Sequence, residues 1–122
     1  MKEKIRFAPP NCIFFLEDPG SGEIPEIDSR PVSIWSTRSC IVVGCLAFMD
    51  GETEFILSDS ADDAPKSDLA FDGVLDTPSR AVEVSTSERE ILLRREVPGH
   101  LTRVRIWTDH PTEPEHILVV LG

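Results

Sequence analysis

Short apolar runs with a two-residue period, each broken off by Pro, Gly, Asp or Ser, constrain this chain more than any other feature. Side chains on an extended strand point alternately to opposite faces, so this period marks strands with one buried face. Residues 4–8 place Ile5 and Phe7 on one face. Residues 31–36 set Val32 and Ile34 against Ser33 and Trp35, and residues 80–85 point Val82 and Val84 inward. Residues 101–108 oppose Val104 and Ile106 to Arg103, Arg105 and Trp107. Residues 12–16, 40–48 and 117–121 are apolar on both faces, as in strands inside a packed sheet. The run at 117–121 is too apolar for an exposed sheet edge. Ten prolines and seven glycines interrupt these runs and exclude long helices.

The connections carry their own signals. Asp50-Gly51 predicts a hairpin turn from residues 40–48 into a partner strand at 53–57, because Gly takes positive φ at little cost. Ser87-Glu88-Arg89-Glu90 matches a capping box that would open a short helix. The alternation of Ile91, Leu93 and Arg95, followed by a Pro98-Gly99 turn, favours a strand there instead. Residues 58–76 are rich in Asp, Ser and Pro and read as a loop, with a short strand at 69–71. The chain is therefore expected to be all-β, a two-sheet β-sandwich of about eight to nine short, mostly antiparallel strands. Its 122 residues predict one domain, residues 1–122, able to bury a core without disulfides.

Charge is distributed unevenly. Residues 17–28 hold five acidic residues, Glu17, Asp18, Glu23, Glu26 and Asp28, and no basic one. Residues 50–76 hold nine acidic residues against Lys66 alone. These stretches carry −13 of a net charge of −10, so the remainder is about +3. Such a field repels nucleic acid and attracts basic proteins or cations. Direct nucleic-acid binding is not expected.

Patterns that would carry catalysis are missing. There is no Gly-x-Ser-x-Gly, and Ser21 lies in a Pro19-Gly20-Ser21-Gly22 turn rather than a strained elbow. There is no Gly-rich phosphate loop. Cys12, Cys40 and Cys45 show no paired metal-ligand spacing and read as reduced, buried thiols. His100, His110 and His116 lack the third and fourth ligands a zinc site needs, and read as surface residues. Asp59, Asp62, Asp63, Asp68 and Asp72 offer oxygen ligands for calcium but not in EF-hand order. No catalytic residue, metal ligand or cofactor is expected. No apolar run approaches the roughly 20 residues of a membrane-spanning helix, and the basic N-terminus has no apolar segment after it. The expectation is a cytoplasmic protein with no membrane association.

The order Trp35-Ser36, Gly44, Asp50-Gly51 and Phe55 resembles the central hairpin of the competence-protein J family. Leu93 to Val97, Pro98-Gly99, Arg103 to Trp107-Thr108 and the terminal apolar strand extend the resemblance over residues 35–121. It implies a small β-sandwich that inhibits a DNA-entry nuclease, akin to immunity-type proteins that neutralise toxic nucleases. The acidic loop at 58–76 departs from the family pattern, and no functional residue carries over. The expected role is thus a non-enzymatic acidic binding module for a basic protein partner, a nuclease or toxin. The expected contact residues are Asp50, Glu52, Glu54, Asp59, Asp62, Asp63, Asp68, Asp72 and Trp107. Trp35 and Trp107 lie on polar strand faces beside Ser and Arg, where Trp serves either as core or as an interface anchor. Two alternatives stand: a divalent-metal protein using the Asp-rich 59–76 loop, and a homo-oligomeric subunit, such as a homodimer, paired through its Trp-bearing faces or last strand.

Overall fold

The computed structural model describes residues 2–19, 22–62, 64–65 and 69–122. The positions singled out above at Ser21, Asp63, Lys66 and Asp68 lie outside the described residues. Among the described residues ten strands form: β1 Lys2–Phe7, β2 Ile13–Glu17, β3 Ile34–Ser36, β4 Cys40–Gly44, β5 Thr53–Ser58, β6 Phe71–Asp76, β7 Ala81–Ser85, β8 Ile91–Glu96, β9 Leu101–Thr108 and β10 His116–Leu121. They make two five-stranded sheets, β1-β5-β10-β9-β6 and β3-β4-β2-β7-β8. Every pairing is antiparallel except β5 with β10. The sandwich is as expected, with one more strand than the upper expected count.

Alternation sends Phe14 and Leu16, Phe55 and Leu57, Val82 and Val84, Val104 and Ile106, and Ile117 and Val119 into one core between the sheets. Phe14 of the second sheet meets Phe55 of the first, ring centroids 4.9 Å apart and tilted by 44°. Such offset geometry suits the ring quadrupoles. β10 runs between β5 and β9, so the last apolar strand is central. The edges β1 and β8 are joined across the sheets by Arg95, whose Nη2 donates to Glu3 Oε1 at 2.9 Å.

Several expectations are corrected. Asp50-Gly51 does not close a hairpin, because β4 and β5 belong to different sheets. Strand β4 ends at Gly44, and the chain crosses the end of the sandwich through a 3-10 turn at Phe48–Asp50. Gly51 does adopt the positive φ, +117°, that the dipeptide signals. What the local pattern could not report is that β5 pairs with β1 and β10, which lie far away in sequence.

The expected loop at 58–76 contains a full strand, β6, whose Phe71 and Leu75 point to the core while Asp72 and Asp76 point out. Its polar alternate face hid it. At 87–90 no helix forms. Thr86 Oγ1, rather than Ser87, accepts the N–H groups of Glu88 and Glu90 at 3.2 and 3.3 Å, and Arg89 turns the chain at φ +64°. A register shift between Val84 and Ser85 then packs both Leu92 and Leu93 against the core, which breaks the simple Ile91-Leu93-Arg95 alternation.

Candidate partner-binding surface

Strand directions bring four connections to one end of the sandwich: residues 8–12, 45–52, 86–90 and 109–115. Main-chain bonds tie them together. Cys45 N–H donates to Cys12 O at 2.9 Å, Leu46 N–H to Pro114 O at 2.9 Å and Glu54 N–H to Glu115 O at 2.8 Å. Asn11 Nδ2 donates to Ser87 Oγ at 2.8 Å. This end displays Asp50, Glu52, Glu88, Glu90, Asp109, Glu113 and Glu115, all exposed, with Arg89 as the one Lys or Arg in these four connections and His110 beside Asp109. Among the described residues no ion pair involves Asp50, Glu52, Asp109, Glu113 or Glu115.

Asp109 Oδ1 accepts the N–H groups of Glu115 and His116 at 2.9 and 3.1 Å, which fixes the β9–β10 connection. His116 Nδ1 lies 3.5 Å from Glu54 Oε1, and Arg6 Nη1 donates to Glu54 Oε2 at 3.4 Å. Single oxygens or nitrogens of Asp109, Glu115 and His116 all lie within 4.8 Å of one another. That donor set suits a divalent cation, and it is not in the Asp-rich loop where sequence placed the metal alternative.

From this end the outward face of the first sheet carries an unusual apolar stripe. Trp107, Leu118 and Val120 are buried there with Ile56, beneath Ala61 and Ala64 of the 59–70 segment. Ala61 and Ala64, next to the exposed Asp62, therefore lie over an apolar patch. A cleft of about 330 Å³ opens beside it, lined by Ile56, Pro65, Trp107, Leu118, Glu54, Asp109, His116 and Lys2 among others. Arg105 places its guanidinium carbon 6.0 Å from the Trp107 ring centroid, a cation–π contact.

The expected contact residues divide among these places. Asp50 and Glu52 belong to the acidic end, and Glu54 and Trp107 line the cleft. Asp59 and Asp62 are exposed on the covering segment. Asp72 stands apart, held in a two-pronged pair by Arg103 Nε and Nη2 at 3.0 and 2.9 Å. That hydrogen bonding from Arg103 draws its carboxyl below the usual range. The acidic stretch 17–28 does not join the others. Glu17 points outward from the second sheet and the stretch runs over that opposite face, where Asp28 binds Arg30 and accepts from Trp35 Nε1 at 3.3 Å. The two acidic stretches do not form one shared patch. Sequence reading missed Asp109, Glu113 and Glu115 because they are scattered among Pro, Thr and His in a segment without a charge run.

The architecture is a two-sheet, ten-stranded β-sandwich with one carboxylate-rich end and a Trp-lined cleft on an adjacent face. The fold alone is similar to that in the crystal structure of ComJ, inhibitor of the DNA-degrading activity of NucA, from Bacillus subtilis. The TM-score is 0.68 at 9% identity over 98% of this chain and 93% of that one. At that identity the likeness is one of fold. No protein-family model matches the sequence, and no curated protein matches it. Among the described residues no helix is long and apolar enough to cross a membrane.

Proposed function

We propose that this chain is a non-enzymatic protein-binding inhibitor whose target is a basic nuclease or toxin. The observation that carries this reading is the cluster of exposed carboxylates without ion-pair partners, Asp50, Glu52, Asp109, Glu113 and Glu115, at one end of the sandwich. A nuclease needs a cationic groove for the phosphates of its substrate. Carboxylates on connections tied together by main-chain hydrogen bonds present negative charge to such a groove without ordering a flexible tail. The likeness in fold to an inhibitor of a DNA-degrading enzyme adds support. The docking surface runs from Asp50 and Glu52 across Glu54 to the Trp107 cleft, with Asp59 and Asp62 beside it, while Asp72 is committed to Arg103. The three free cysteines suit a reducing cytoplasm.

The test is DNA cleavage by a basic nuclease from the same genome, with and without the purified protein. Stoichiometric inhibition that weakens about tenfold or more as salt is raised from low to physiological strength supports the reading. Undiminished cleavage at equimolar protein contradicts it.

A further inference from the structure

The cleft beside Trp107 has a polarity along its length. By strand register, Glu54 lies beside His116, Ile56 beside Leu118 and Trp107, and Lys2 beside Ser58. Asp109 adjoins the first of these rows, since its N–H donates to His116 O at 3.3 Å. The cleft is therefore acidic toward the sandwich end, apolar in the middle and basic at the far side.

Charge complementarity then selects an occupant. The cleft, about 330 Å³ in all, has an apolar middle that takes an aliphatic stem or ring. Carboxylates at one end take a cation. Glu54 is already engaged by Arg6 and faces His116. An incoming cation instead meets the second oxygen of Asp109, whose Oδ1 takes two loop N–H groups, and, just outside the lining, the exposed Glu115 carboxylate within 4.8 Å of Asp109. Two carboxylates side by side suit a planar, fork-shaped donor better than a point charge.

We infer that this cleft is the anchor pocket for an arginine side chain presented by the protein partner. Its stem lies on Ile56, Trp107 and Leu118, and its guanidinium meets Asp109 and Glu115. The inference rests on the reading of the chain as a protein-binding module and names the contact that module makes.

The experiment is a nuclear magnetic resonance titration with acetyl-Gly-Arg-Gly-amide. The norleucine and glutamate tripeptides are run alongside, and nuclease inhibition is measured in parallel. Saturable shifts at Ile56, the Trp107 indole, His116 and Leu118 are expected with the arginine peptide. Its affinity falls roughly fivefold in Glu115→Gln, a surface change that leaves folding intact. Leu118→Ala weakens the arginine and norleucine peptides alike. No saturable shift at these positions, or equal binding of norleucine or glutamate, overturns the inference. Inhibition of the nuclease without cleft shifts overturns the cleft and leaves the inhibitor reading standing. Arginine binding without nuclease inhibition does the reverse.

Discussion

Trp107 and Leu118 are register partners across β9 and β10 on the side of the first sheet that faces away from the core. Ala61 and Ala64 of the acidic segment close over them. A sandwich normally turns polar groups outward; here the outer face holds a second small core that anchors a charged segment. Truncating Leu118 to Ala removes that packing and is expected to cost about 2–3 kcal/mol. In a Trp35→Phe background, fluorescence then reports Trp107 alone, and its emission shifts to the red as water reaches the ring. Unchanged emission with unchanged stability would show that the segment does not seal the patch.

The cysteines should differ in reactivity. Burial pushes the Cys40 thiol up to about 12, with the nearby Glu17 carboxylate adding to the effect. Burial likewise pushes Cys45 up to about 11. Thiolates are the reactive form, so neither should react with iodoacetamide in the folded protein at neutral pH. Cys12 is partly exposed and should be alkylated first. The sign of the pH effect follows. Below a pH of about 9 both thiols are protonated folded or unfolded; above it only the unfolded chain loses its protons, so stability declines as pH rises toward the folded-state values. Mass spectrometry after timed alkylation, together with melting curves from neutral to alkaline pH, checks both statements.

Glu17 and Glu83 are cross-strand neighbours on the outer face of the second sheet. Burial raises the Glu17 carboxyl pKa, and the Glu83 charge raises it further. A raised value means that this group favours folding below the ordinary carboxylate pKa, and that the contribution is lost as pH climbs through the folded value. Glu17→Gln should therefore stabilise the protein at neutral pH by up to about 1 kcal/mol, discounted for partial exposure, and have no effect in acid. Denaturant unfolding at two pH values reads this directly. A destabilised variant at neutral pH would mean that the hydrogen bonding of Glu17 outweighs the repulsion.

Asp72 and Arg103 point to a contrast within the acidic residues. Because the Arg103 fork is already on Asp72, Asp72→Asn should leave partner binding unchanged within about twofold. Its lowered pKa means that the pair supports folding above the usual carboxylate range and is lost as pH falls through that range and below. Calorimetric titration of wild type and variant against the same nuclease decides the first point.

The alternation of residues such as Val104, Ile106 and Val82 made the sandwich and its core readable from sequence alone, because each reports only its own strand. Sheet membership was not readable. The partners of Phe55, for example, are Ile5 and Ile117, and no local pattern encodes that choice. The candidate surface was half legible. Asp50, Glu52, Glu54 and Trp107 were identified because charge density and a Trp on a polar face are visible in one dimension. Asp109, Glu113 and Glu115 join them only through the parallel pairing of β5 with β10, which sets the starts of both strands side by side. Glu23 and Glu26 sit in an equally acidic run, yet strand β2 delivers that run to the other sheet.

The most direct measurement compares two charge-reversed variants as inhibitors of a basic nuclease that the wild-type protein inhibits. One carries Asp50→Lys, Glu52→Lys and Glu115→Lys at the acidic end; the other carries Glu23→Lys and Glu26→Lys on the opposite face. The first is expected to lose inhibition by about a hundredfold or more while the second stays near wild type. Full inhibition by the first variant, or loss confined to the second, would contradict it.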